Sequence, residues 1–415
     1  MQNRMVIPTA GHIQWHITSA CPNRCIHCYM YGKDAAYIAK DDLSTDQLLF
    51  IYEKVCQFED TTGYKFNSFS ITGGDPLYHD KGWPLIERLY HDNRSISILG
   101  IPEQINDTNI QKMKQFHVST YQVSLDGLKE THDRIRGKGN FDTTIDGIKT
   151  LNKQGIRCHV MFTVNNLNQN ELFPLIKYLE EEAVNIGFAF DFMIGSIAAV
   201  TPNHPRMLTK EEAKEIISEY HRWQIARHSH QTTVKLLDKT MLNEVLSAKD
   251  RGYRPGDIWF GGCGIGEGLC ILENGDVYPC RRLPINLGNL LNDSLDDVFI
   301  SNDTLKQFRD RSGWKGCKDC SHFDICRGCP AVAYAFTGDP FEEMPYCFLK
   351  EKTDIMQVQP EEEWHTRAEK VYSNVRQMDM SQLWEVAKKQ NILRNLWMKD
   401  SMENKKRQEA HQNEK

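Results

Sequence analysis

The run Ile17-Thr18-Ser19-Ala20-Cys21-Pro22-Asn23-Arg24-Cys25-Ile26-His27-Cys28-Tyr29 spaces three cysteines as Cys-x3-Cys-x2-Cys. Three thiolates on one tight loop can hold three irons of a cubane [4Fe–4S] cluster and leave the fourth iron without a protein ligand. An open iron is a place to bind and reduce a molecule, so the spacing points to chemistry more than to electron storage. By itself the triad is also compatible with a zinc site short of one ligand, or with chance clustering.

The surrounding pattern argues against both. Residues 12–18, 67–72, 95–99, 121–125, 158–164 and 188–193 are rich in Val, Ile, Phe, Thr and Tyr and read as strands. Helical patterns fall between them at 45–58, 84–93, 106–116, 141–154 and 169–182. Strands separated by helices imply βα units, a parallel sheet and right-handed crossovers. Six such units predict an α/β fold with a partial (β/α)6 barrel, and the cysteine loop directly follows its first strand. In barrels of this sort the reacting site lies at the C-terminal ends of the strands.

The rest of the chain divides by composition. A break near 201–205 separates the barrel (1–200) from a helical linker region (201–258), where Thr209-Lys210-Glu211-Glu212 reads as a capping box opening a helix to about Arg227. A block at 259–350 holds a predicted hairpin, strands 269–273 and 276–280 joined by Asn274-Gly275 in a type I′ turn, which would bring Cys270 and Cys280 close together. Residues 351–415 read as a helical extension, with an amphipathic helix at 384–397 and a polar, disordered tail from 399.

The chain has 415 residues, 40% of them hydrophobic and 26% charged, the profile of an ordinary globular protein. Its net charge of −6, from 50 basic and 56 acidic residues, argues against an electrostatic grip on nucleic acid or anionic membrane. No apolar run reaches the length of a membrane span, and residues 1–9 are too short and polar for a signal peptide, so a cytoplasmic protein is expected. Of its 13 cysteines, three lie at 21–28 and eight between 263 and 347. In a reducing compartment such clusters bind metal rather than form disulfides. Cys56 and Cys158 stand alone and read as small core residues.

Further motifs sit at the ends of the predicted strands. Thr72-Gly73-Gly74-Asp75-Pro76 ends the second strand. Paired glycines let backbone approach a ligand, and a carboxylate beside them accepts from an ammonium group, although a plain turn has the same composition. With the cysteine triad, this motif resembles the radical S-adenosylmethionine (SAM) superfamily. The resemblance implies that Cys21, Cys25 and Cys28 hold the cluster, that SAM chelates the open iron, and that Tyr29 packs near the adenine. Gly73, Gly74 and Asp75 stand where the family has Gly-Gly-Glu for the SAM amino group, one methylene shorter. Ser124-Leu125-Asp126-Gly127 resembles Ser-x-Asp-Gly, whose serine approaches the SAM carboxylate. His132-Asp133-x-x-Arg136 follows, with Arg136 as a partner for a carboxylate, and Thr163 and Asn165 are weaker candidates for ribose contact. Leu99-Gly100-Ile101-Pro102 replaces the Thr-Asn-Gly common after the third strand.

The later cysteines resemble the SPASM domain, with Cys263, Gly275-x4-Cys280, Cys317-x2-Cys320-x5-Cys326-x2-Cys329 and Cys347, the last x2 standing for the usual x3. By position the resemblance implies one auxiliary [4Fe–4S] cluster on Cys263, Cys270, Cys280 and Cys329. A second would sit on Cys317, Cys320, Cys326 and Cys347. Both would be fully ligated and suited to electron transfer; a pair of structural zinc sites is the competing reading. The implied reaction is reductive cleavage of SAM to methionine and a 5′-deoxyadenosyl radical that abstracts hydrogen from a substrate carbon.

SPASM members often crosslink or oxidise peptides, so a peptide or protein substrate is expected, with a flavodoxin or ferredoxin as electron donor. With the first strand near His12, a leader-binding domain is expected to be missing, leaving that task to a separate protein or to the barrel. The alternatives are an anaerobic sulfatase-maturing enzyme, a dehydrogenase of a small molecule, and a non-catalytic electron carrier. Arg281 stands where the sulfatase-maturing enzymes have an Asp base. Arg281-Arg282 reads either as an anchor for a peptide acid or as a surface pair. His27, His159 and His230 read as solvated or packed, and Phe188, Phe190 and Phe192 as core.

Overall fold

The computed structural model describes residues 10–28, 42–194, 207–227, 233–237, 263–320, 328–345 and 347. Seven parallel strands follow in chain order: β1 Ala10–His16, β2 Lys65–Thr72, β3 Ser95–Leu99, β4 Thr120–Ser124, β5 Cys158–Val164, β6 Ile186–Phe192 and β7 Val234–Leu236. Helices α1 Thr45–Thr62, α2 Trp83–His91, α3 Asp107–Gln115, α4 Lys129–Arg136, α5 Asn140–Lys153 and α6 Leu172–Glu181 cross between them, and α7 Lys210–Arg227 precedes β7. Among the described residues the strand order does not close, which fits the partial barrel expected from the sequence.

The strands alternate in chemistry. One face of β1 to β5 carries Ile13, Trp15, Phe69, Ile71, Ile96, Ile98, Tyr121, Val123, Val160 and Phe162, all buried in one core cluster. Each such side chain contributes about 1.5–3 kcal/mol. The opposite face carries His12, Gln14, Ser70, Ser97, Thr120, Gln122 and His159 and lines a cavity of about 430 Å³. Parallel strands buried on both sides are usually apolar throughout, so a polar inner face marks a lumen built for a ligand rather than a filled core.

Local signals acted as their chemistry requires. Ser44 and Gln47 close a capping box on α1, and Thr209 and Glu212 close the expected one on α7. Two expectations change. Helix α4 has no apolar period, burying only His132 and Ile135, and gave no helical signal. The hairpin formed by β8 Leu269–Ile271 and β9 Asp276–Tyr278 is not joined by a type I′ turn. Gly275 alone takes a positive φ, +89°, and its N–H donates to the Leu272 carbonyl, giving a three-residue loop with glycine at the left-handed position. Asn274 keeps a negative φ because its side chain accepts from the Asp276 N–H.

The sequence did not show where this hairpin goes. Strand β8 pairs in parallel with β1, Cys270 opposite Gln14, and β9 then pairs with β10 Gly288–Asn289. The cysteine block is therefore hydrogen-bonded to the barrel sheet, and β1 is shared between them. Two short helices complete the described residues, α8 Asp303–Arg309 and α9 Pro330–Thr337. The predicted helix at 384–397 and the tail lie outside the described residues.

A buried ion pair locks β2 and β3 to α1. Arg94 donates two hydrogen bonds to Glu59, Nη1 to Oε1 at 3.1 Å and Nη2 to Oε2 at 2.5 Å, and the Phe66 N–H donates to the same carboxylate at 2.6 Å. Glu59→Ala strands a guanidinium and a backbone N–H, and is expected to cost about 3 kcal/mol. A urea unfolding midpoint unchanged from wild type would contradict this assignment.

Candidate functional site

The cysteine loop follows β1 and is held at three places before any metal is considered. Toward β2, the Gly74 N–H donates to the Thr18 carbonyl and the Asp75 N–H to the Ala20 carbonyl, both at 2.7 Å. Gly73 and Gly74 are required here by close approach: a Cβ at Gly73 would lie 2.2 Å from the Thr18 oxygen, and one at Gly74 2.3 Å from the Ala20 oxygen. The backbone these glycines admit is the cysteine loop's own. On a second side, Asp42 accepts from Thr18, Ser19 and Lys81. On a third, the Ile26 N–H donates to the Ile135 carbonyl of α4 at 3.0 Å.

Asp126 joins the loop to the sheet. It is fully buried, and its carboxylate accepts from the Arg136 Nε, lies 3.3 Å from His27 Nε2, and accepts the Thr163 N–H at 2.7 Å. Burial alone would raise its pKa, but Arg136 and His27 overcome that and hold it well below the usual carboxylate range. His132 supports the turn, its Nδ1 accepting the Asp126 N–H at 3.0 Å while Nε2 faces Asn140 Oδ1 at 2.9 Å. Arg136 continues to the loop, with Nη1 3.6 Å from Cys25 Sγ. Asp126, Arg136 and the Thr163 backbone are thus committed to one another and to the loop. His27 is packed here, one of the two roles the sequence left open for it. Ser124 ends β4, half-buried.

Cys21, Cys25 and Cys28 are free thiols within electrostatic reach of one another. Burial pushes the Cys21 thiol up to about 12 and raises Cys25, which Arg136 partly offsets. Three soft donors carried by one loop, one of them beside a guanidinium, suit an anionic iron–sulfur cluster, whose irons would displace the thiol protons on binding. Asp75 adds a second mark of fit. It is fully buried, Oδ1 receives the Leu77 N–H at 3.4 Å, and Oδ2 has no partner. An orphaned buried carboxylate oxygen beside the loop suits the ammonium group of SAM. Gln104 and the Ile101 backbone, in and just after the 99–102 loop that departs from the family pattern, also favour the charged form of this carboxylate.

Among the later cysteines, Cys263, Cys270, Cys280, Cys329 and Cys347 line the cavity of the lumen. Cys280 lies within electrostatic reach of both Cys270 and Cys329, which suits a shared site. Cys280 itself lies beyond the hairpin's paired strands, because Cys270 pairs with Tyr278. Cys317 is buried and Cys320 half-buried on one turn, and Cys347 reaches the cavity wall although the resemblance groups it with them. Tyr29 and Cys326 lie outside the described residues. Arg281 and Arg282 both line the cavity, and Arg282 pairs with Asp191 at 2.5 Å, so neither belongs to a surface pair.

Sequence reading missed His16, Gln14, Gln122 and the lumen role of His159. The available signal was the strict alternation of polar with apolar residues along His12–His16 and Thr120–Ser124.

Burial raises Asp75 from 3.8 to about 7. The native state therefore binds more protons than the unfolded state between those values, and stability falls as pH rises through that window. In SAM-free protein, Asp75→Asn is expected to gain on wild type by about 3 kcal/mol between pH 5 and pH 8. Parallel pH–stability curves from urea unfolding would contradict the orphaned carboxylate.

Comparison with known proteins agrees with this geometry. The radical SAM superfamily model matches residues 15–179, and the SPASM iron–sulfur cluster-binding domain matches 263–330. The chain is 26% identical to an AdoMet-dependent heme synthase of Methanosarcina barkeri, across 81% of this chain and 96% of that one. It is 25% identical to the mycofactocin maturase MftC of Mycolicibacterium smegmatis, across 80% of each. Among solved structures, anSMEcpe with bound AdoMet superposes with a TM-score of 0.64 at 17% identity, covering 81% of this chain and 94% of that one. SuiB of Streptococcus suis bound to its precursor peptide SuiA gives 0.60 at 16%, covering 83% and 76%. A parallel partial barrel, a three-cysteine loop at its mouth and a cysteine-rich block on its edge strand coincide with two family matches, and the chain belongs to the radical SAM superfamily and carries a SPASM iron–sulfur domain.

Proposed function

We propose that this enzyme is a peptide or protein maturase. The observation that carries the reading is the lumen itself, lined by hydrogen-bonding strand side chains on one side and by Cys263, Cys270, Cys280 and Cys329 on the other. A polar chain lying there would have its hydrogen-bonding groups met by Gln14, Ser70, Ser97, Thr120 and Gln122, and auxiliary cysteines within the same cavity. When bound, the cluster and SAM supply a carbon-centred radical able to abstract hydrogen from an unactivated position.

The chain's own residues do the rest. Cys21, Cys25 and Cys28 hold the cluster, and Arg136 compensates its charge at Cys25. Asp75 holds the SAM ammonium group, with Ser124 and Thr163 on neighbouring strands and Tyr29 as further SAM contacts. The cysteine sets given by position would hold two auxiliary clusters, and such clusters would supply an exit for the electron left after bond formation. A flavodoxin or ferredoxin supplies the reducing electron, and a separate protein or the barrel reads any leader. Supporting this reading, MftC is a maturase, and SuiB has been solved with a precursor peptide.

A second reading, a synthase acting on a tetrapyrrole, is favoured by other relatives, which include heme synthases, an Fe-coproporphyrin III synthase and a pre-heme d1 synthase. A dehydrogenase of a small molecule, a sulfatase-maturing enzyme and an electron carrier remain weaker readings.

The reconstituted enzyme is expected to carry about twelve irons per chain and to release 5′-deoxyadenosine when reduced anaerobically with SAM. The Cys21/Cys25/Cys28→Ala variant is expected to keep about eight irons and release none. A wild type that makes no 5′-deoxyadenosine, where a control radical SAM enzyme turns over, would overturn the enzymatic reading. About four irons plus zinc would overturn the auxiliary clusters.

A further inference from the structure

His16, the last residue of β1, is 1% exposed, and neither of its ring nitrogens has a partner. Buried polar groups are nearly always paired, and an exception in a site points to a missing ligand. Strand alternation places His16 on the face of His12 and Gln14, the β1 side chains that line the lumen. Thr72 of β2 stands opposite it on one side, and on the other Cys270 of β8 stands opposite Gln14. His16 is not itself among the residues lining the cavity, but it stands one step beyond Gln14 on the same face of β1, toward the cysteine loop. Arg281 borders the same cavity and acts electrostatically on His16. Thr72 leads directly into Gly73-Gly74-Asp75, the turn assigned to SAM, so His16 stands at the boundary between the SAM groups and the lumen.

We propose that His16 and Arg281 form a specificity pocket at the head of the lumen that binds an acidic residue of the substrate peptide. This rests on the reading of the lumen as the substrate site of a maturase. A neutral imidazole offers one N–H and one lone pair. A substrate carboxylate accepts from the N–H and is favoured by the neighbouring guanidinium. The backbone N–H of the same residue donates to the other nitrogen. An acidic amino acid within a peptide supplies both groups together, whereas an amide side chain supplies no anion and an isolated carboxylate no donor.

The test uses fluorescein-labelled Gly-Gly-Glu-Gly-Gly and Gly-Gly-Gln-Gly-Gly, titrated by anisotropy into SAM-loaded enzyme with its clusters in place. The Glu peptide is expected to bind wild type at least about 10-fold more tightly than the Gln peptide. In His16→Leu the preference is expected to fall to within about threefold, with iron content and SAM affinity unchanged. His16→Gln, which keeps a donor and an acceptor, is expected to retain part of it. Measurable and equal binding of the two peptides by wild type, or an undiminished preference in His16→Leu, would overturn the pocket. A loss of SAM affinity in His16→Leu would also overturn it and place His16 at the cofactor. Metal-free coproporphyrin III, a carboxylate carrier without a peptide bond, separates the two levels. If it binds in a His16-dependent way while both peptides fail, the carboxylate assignment stands and the peptide reading falls. Failure of all three probes would overturn the pocket.

Discussion

The buried carboxylate of Asp126 is the point on which the site depends. A charged group at zero exposure persists only if its surroundings supply compensation, and here that comes from three elements: His27 of the cysteine loop, Arg136 of α4 and the Thr163 N–H of β5. Neutralising the charge and assembling the loop are therefore the same event. Because Arg136 also reaches Cys25, the compensation extends to one sulfur of the cysteine loop. The paired glycines do the matching work toward β2, where hydrogen bonds replace side-chain volume. The loop is thus held mainly through its backbone, Asp42 and Asp126, with Arg136 also reaching the Cys25 sulfur, and its three thiols are free of disulfides.

The shared strand β1 gives the molecule its second constraint. Its C-terminal end feeds the three-cysteine loop, and its free edge receives β8 with Cys270 opposite Gln14. Hydrogen-bond register therefore sets the auxiliary cysteines beside the lumen, on the same cavity as the inner faces of β1 to β5. A polar inner face removes apolar burial from the barrel, and the outer face, with Trp15, Phe69, Ile98, Tyr121 and Phe162 packed under the helices, carries the core.

Much of this was legible in the chain because it is local. Six strands and five of the helices between them followed from periodicity, and the capping box of α7 from a four-residue pattern. The cysteine spacings pointed to the family once the Gly73-Gly74-Asp75 turn was read beside them. What was not legible is non-local or chemically ambiguous. No sequence period reports that β8 pairs with β1, some 255 residues away by chain. Gly73-Gly74 announces a close approach but not to what, and the partner is backbone of the same chain. Helix α4 is almost wholly polar, so only its contacts to Asp126 and Asn140 reveal why it forms. His27 and His159 look alike in sequence, yet one compensates a buried charge and the other lines the lumen.

The most direct test of the account is electron paramagnetic resonance of the dithionite-reduced enzyme with and without SAM. An open iron on the Cys21–Cys28 loop, next to the orphaned oxygen of Asp75, predicts that SAM changes the signal of one cluster and leaves the others as they were. It also predicts that this component is missing from the Cys21/Cys25/Cys28→Ala variant. A wild-type spectrum that does not respond to SAM would contradict the account.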